Sequence, residues 1–155
     1  MSNGLDAGRA SGEAGRLLAA GAVADPWTLQ HARVLQAIAV MSPAGVQVAW
    51  FVGAGVADQL VGYVLLDPAG RLVKWSSFQR HAGSLAECPD VAAWTDPAAI
   101  AQVAAVFLGT SDGLEVPVLS FDGVIDRLAW RVRAIDGDGK ARTVCVTGTV
   151  AFACA

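Results

Sequence analysis

A chain of 155 residues and 15.9 kDa has room for one domain with a real core, since a chain of this size buries roughly 68–70% of the surface it exposes when unfolded. Hydrophobic residues make up 54% and charged residues 16%, well under the charged share of about 25% in ordinary globular domains, which excludes a disordered polyelectrolyte. A net charge of -3 and a pI near 5.2 count against general nucleic-acid binding, which leaves a basic footprint on the whole domain and would need a local basic patch here.

Residues 1–24 open the chain with Gly, Ser, Ala and mixed charge and read as a flexible arm ordered by a partner, with helical tendency near Glu13 to Ala20. The apolar run Leu17 to Ala24 ends in Ala22-Val23-Ala24, which resembles a signal-peptidase site. Asp6 and Glu13 stand where a secretory leader is basic, so no cleaved leader is expected. No stretch reaches the roughly 20 consecutive apolar residues that span a bilayer, so no membrane span is expected.

The first helix is predicted to start at Asp25-Pro26, where Asp caps free amides and Pro suits the first turn. Leu29, Ala32, Leu35, Ile38 and Ala39 recur at helical spacing from Trp27 to Met41, and Ser42-Pro43 stops the run. Val46 to Val52 reads as a buried strand. Gln59 to Leu66 and Arg71 to Phe78 read as a hairpin joined by Asp67-Pro68-Ala69-Gly70. Residues 79–95 show no period and read as a loop. Asp96-Pro97 repeats the cap-and-proline start of a helix that carries Ile100, Val103, Ala104 and Phe107 and ends at Gly109. Val116 to Phe121 reads as a strand, and Asp126 to Ile135 with Lys140 to Phe152 as a hairpin across Asp136-Gly137-Asp138-Gly139.

The order is therefore αβββαβββ: an α+β fold of two helices and about six mainly antiparallel strands, in a single domain over residues 25–155. An offset of 68 pairs Gly45, Val48, Gly55, Val56, Asp58, Leu60 and Val64 with identical residues from Gly113 to Val132, where composition alone gives about two matches. Half-repeats over 25–78 and 96–152 are the corresponding duplication.

Gly53-Ala54-Gly55-Val56-Ala57-Asp58 has the glycines of a dinucleotide-binding turn, but Asp58 would bring negative charge toward a pyrophosphate and no acid stands near Ser76 to bind a ribose. A glycine-rich strand connection is the better reading. Asp136 to Lys140 resembles the start of a calcium loop, but its glycine comes too early and Thr147 replaces the closing Glu, so a turn is expected. Two histidines, His31 and His81, exclude a histidine-rich metal site, and neither metal nor cofactor is expected. Cys88, Cys145 and Cys154 are an odd number without metal-type spacing, so reduced thiols in a cytoplasmic compartment are expected, with Cys145 and Cys154 as small apolar residues on the last strand.

Arg127, Arg131 and Arg133 alternate with Leu128, Trp130 and Val132, which places the arginines on one strand face, with Arg142 opposite Arg133 on the next strand. Facing like charges ask for an acidic or phosphorylated partner, against the plainer reading of a solvated outer face. Trp27 and Trp94, at helix starts, are interface candidates. No catalytic residue stands out. Low charge and a mean hydropathy of +0.47 point to apolar surface covered by other subunits. The expected function is a non-catalytic assembly or binding subunit of a homo-oligomeric complex, made in the cytoplasm, and a phage or virus particle component fits this description. The alternative is a small enzyme or ligand-binding domain with a pocket between helices and sheet that uses His81, Asp90, Ser76 and Ser77.

Overall fold

The computed structural model of the chain describes residues 4–21 and 26–155, with the main chain alone at Pro26, Trp27 and Leu29. The fold is mixed helix and sheet, with two antiparallel sheets. The chain divides into two compact units, Met1–Val40 with Gln47–Val91 and Met41–Val46 with Ala92–Ala155.

In the first unit α1 (Ala7–Ala19) is capped by the Asp6 carboxylate, which accepts from the Arg9 N–H at 2.8 Å. Ala10, Ala14 and Leu18, spaced one turn apart, are buried and close over Val52, Ala54, Val61, Val64 and Leu66 of the sheet. α2 (Pro26–His31) is short, and β1 (Arg33–Val34), β2 (Ile38–Met41), β3 (Gln47–Val56), β4 (Gln59–Leu66) and β5 (Leu72–Ser77) form the sheet. Both β1 and β2 pair with β3, and the path runs on to β4 and β5, with Val52 opposite Val64 and Val64 opposite Trp75. The Ser11 hydroxyl fastens α1 to the β1–β2 link, donating to Leu35 O and accepting from Ala37 N.

In the second unit α3 (Val91–Thr95) leads into α4 (Pro97–Leu108). Asp96 caps α4 by accepting from Ala98 N at 3.0 Å, and Gly109 ends it in the left-handed conformation at φ 76°, where a side chain would be strained. β6 (Val118–Phe121), β7 (Leu128–Ile135), β8 (Ala141–Thr147) and β9 (Val150–Ala153) form an antiparallel meander. One face carries Leu119, Trp130, Val132, Val144 and Val146, all buried, and α4 packs on this sheet.

Several expectations change. The helix predicted over 27–41 stops at His31, and Ile38–Met41 is a strand. Its β-branched Ile38 and Val40 suit a pleated surface, and the turn Ser42–Gly45 returns the chain into β3, with Ser42 N donating to Val46 O at 2.7 Å. The cap expected at Asp25 and the Ala22-Val23-Ala24 site lie outside the described residues. Residues 7–19, expected within a flexible arm, are a helix in the first core. The loop 79–95 contains α3, and Lys140 to Phe152 breaks at Gly148, φ 59°, into β8 and β9.

The thiols also differ from expectation. Cys145 of β8 is joined to Cys154 by a disulfide, so of the three cysteines expected as reduced thiols Cys88 is the one that stays free. The register makes this bond natural: Cys145 faces Phe152, so Cys154 is its diagonal neighbour on the same sheet face. Among the described residues no helix is long and apolar enough to cross a membrane.

Candidate functional site

β7 alternates as its sequence demands, with Trp130 and Val132 on one face and Arg131 and Arg133 on the other. Arg131 lies opposite Cys145 and Val118, and Arg133 opposite Thr143. Arg142 is opposite Ala134 rather than Arg133, and so lies on the other face of the sheet. There it shares a small cleft of about 40 Å³ with Leu108, Thr110, Asp112 and Asp136, near the C-terminal end of α4, where a cation is favoured. Arg127 precedes β7 in the turn whose N–H and C=O groups link Asp122 to Arg127, outside the strand alternation. The expected four-arginine face is a pair, Arg131 with Arg133.

That pair lines a groove of about 360 Å³ within the second unit, together with the turn at Ser42 and Pro43 and with Glu115 and Ser120. Arg133 is engaged: its guanidinium donates to Glu115 at 3.2 Å, while the Glu115 N–H donates to Arg133 O. Among the described residues the Arg131 guanidinium has no ion pair or hydrogen bond, although the residue is half-buried. Ser120 is 1% exposed, and its hydroxyl has no hydrogen-bond partner among the described residues. Buried hydroxyls are ordinarily satisfied, so an orphan beside a lone guanidinium marks a place where an acceptor fits.

Trp94 packs near Gly148, where an added Cβ would come within 3.2 Å of the indole nitrogen, and its carbonyl accepts from Trp130 Nε1 at 2.7 Å. It therefore has a structural engagement. The Trp27 side chain lies outside what is described. His81 is exposed in a turn, Asp90 is exposed and bridges Gln59 through the main chain, and the Ser77 hydroxyl donates to Val61 O at 3.4 Å. Among the described residues no hydrogen bond joins His81, Asp90, Ser76 or Ser77 to one another. Burial, and after it the Glu87 carboxylate, pushes the Cys88 thiol up from its ordinary value, opposite to the shift that makes a thiolate nucleophile. Among the described residues no group of three or more His, Cys, Asp or Glu could hold a metal. Gly53-Ala54-Gly55-Val56 lies within β3, and Ala57 makes the tight connection to β4 at φ 50°.

Sequence reading missed Ser120 and Glu115, whose roles arise from cross-strand register. It also passed over α4 as a surface. Of its twelve residues, Pro97 to Leu108, none is charged and Gln102 alone is polar, yet only Ile100 and Ala104 are buried. Val106 is 84% and Phe107 48% exposed, and with Val103, Thr149 and Ala151 they line a shallow apolar groove of about 380 Å³.

Comparison of the chain with protein-family models, curated proteins and solved structures finds no match.

Proposed function

We propose that this chain is a non-catalytic assembly subunit that associates with further copies of itself through the outer face of α4. The observation that carries the reading is α4 itself: an uncharged helix whose sequence is apolar nearly all round has the composition of a buried helix, yet its outward residues Val106 and Phe107 are exposed. Covering a Val or Phe side chain contributes about 1.5–3 kcal/mol each. The apolar groove carries the same surface to Thr149 and Ala151 at the β9 edge. Apolar patches of this kind mark interaction sites, and a surface without charges is well suited to self-complementary pairing. A repetitive particle is the setting in which such a subunit works. The exposed Leu72, Val73 and Trp75 on the edge strand β5 provide a second surface for extension.

A duplication lies behind the architecture in this reading. Shifting β4 by 68 residues carries it to within one residue of β7, and β5 to within two residues of β8. The loops Asp67–Arg71 and Asp136–Lys140 correspond as well, each with its Asp Oδ1 accepting two main-chain N–H groups.

The test is Val106→Glu in the full chain, followed by sizing with circular dichroism as the check of folding. Burying a carboxylate against an apolar face is costly enough to weaken association by about two orders of magnitude, so a folded monomer is expected. A variant that assembles like the parent chain contradicts the reading.

A further inference from the structure

We propose that the groove beside Arg131 in the second unit binds a small organic monocarboxylate with a short apolar chain. The proposal does not rest on the assembly role of α4, because Arg131 and Ser120 belong to the opposite sheet face from Trp130 and Val132.

Charge selects the ligand. Arg131 and Arg133 supply two positive charges and Glu115 one negative, in direct contact with Arg133, so the groove holds one uncompensated positive charge at Arg131. A carboxylate neutralises it with a single negative charge. A phosphate monoester, at about -1.5 to -2 near pH 7, would overshoot and meet the Glu115 carboxylate.

Hydrogen bonding selects the same group. A guanidinium presents paired donors that match a carboxylate. Ser120 pairs with Ala129, and Val118 with Arg131, so Ser120 and Arg131 are diagonal neighbours on one face, with Cβ atoms about 7–8 Å apart. A carboxylate held between them would take the guanidinium donors on its oxygens and the orphaned Ser120 hydroxyl on one of these. Both groups are thereby satisfied, which neither is among the described residues.

The walls select the rest of the molecule. Met41, Pro43, Val116 and Val118 line the groove and offer apolar contact to an alkyl chain. Its volume of about 360 Å³ lies at the lower end of the ligand-pocket range of about 300–1,000 Å³, which suits a small molecule.

The test is calorimetric titration of the full chain with hexanoate, hexanol and inorganic phosphate. Hexanoate is expected to bind and hexanol and phosphate to bind at least about tenfold more weakly. Arg131→Gln is expected to weaken hexanoate about tenfold or more, and Ser120→Ala about threefold to tenfold. Arg131→Lys, which keeps the charge and loses the fork, should fall between parent and Arg131→Gln, and serves if Arg131→Gln does not fold. An independent readout on the unaltered chain is the amide spectrum, in which hexanoate should shift Ser120, Arg131 and Thr143. No heat up to about 10 mM hexanoate, equal affinity for hexanol, tighter binding of phosphate, or shifts confined to other residues would each overturn the proposal.

Discussion

Trp130 donates its indole N–H to the main-chain carbonyl of Trp94 at 2.7 Å, tying the buried face of β7 to the end of α3. Trp130 is 3% exposed and the bond is part-buried. Trp130→Phe removes the donor, a cost of about 0.5–1.5 kcal/mol before the lost ring volume is counted. Urea unfolding should show a lower midpoint with an unchanged slope. An unchanged midpoint would mean that the bond contributes nothing.

Ser120 gives the opposite sign. Its hydroxyl is buried without a partner, so Ser120→Ala without ligand removes a desolvated polar group rather than a hydrogen bond. Stability should rise by about 1 kcal/mol, seen as a higher thermal midpoint. A drop of similar size would show that the hydroxyl is satisfied in solution.

The Cys145–Cys154 bond closes a loop with a sequence separation of 9. The chain-entropy relation for a loop of this length gives about 2.5 kcal/mol, so reduction, or Cys154→Ser, should lower stability by about that amount. Mass spectrometry of the unreduced chain should find two hydrogens fewer than the sequence predicts. A full complement of free thiols would refute the cross-link.

Asp67 supplies a pH dependence. Hydrogen bonds from the Arg71 main-chain N–H above all, then from Ala69, with the Arg71 guanidinium, hold its carboxyl below the ordinary value of 3.8. A carboxyl with a lowered folded-state pKa adds stability above the unfolded value, and loses it as pH falls through the folded one. The stability difference between the parent chain and Asp67→Ala should therefore be constant near neutrality and shrink below pH 3.8. A difference that grows on acidification would reverse the assignment.

What could be read in advance follows the range of the interaction involved. The β4–β5 hairpin, the Asp96-Pro97 start of α4 and the Asp136 loop were legible because each depends on side chains bonding to main chain a few residues away. α1 was hidden because its buried stripe is Ala10, Ala14 and Leu18 between several glycines, a pattern with little apolar contrast. β2 was misread because Leu29 to Ala39 satisfies a helical period, and only pairing with β3 decides otherwise. The arginine pair was visible as alternation. Its membership was wrong by one residue of register, because Ile135 pairs with Ala141 and the loop between them is 136–140 rather than 136–139. A slip of one residue moves a side chain to the other face, and this one moved Arg142. Ser120 and Glu115 had no local signal, since each acquires its setting from a neighbouring strand.

Association of copies through α4 is read by sedimentation velocity of the full chain over a dilution series. A mass that is a multiple of 15.9 kDa at high concentration, falling toward one copy on dilution and held at one copy by Val106→Glu, is the predicted result. A single copy at every concentration, with the parent chain and the variant sedimenting alike, would contradict it.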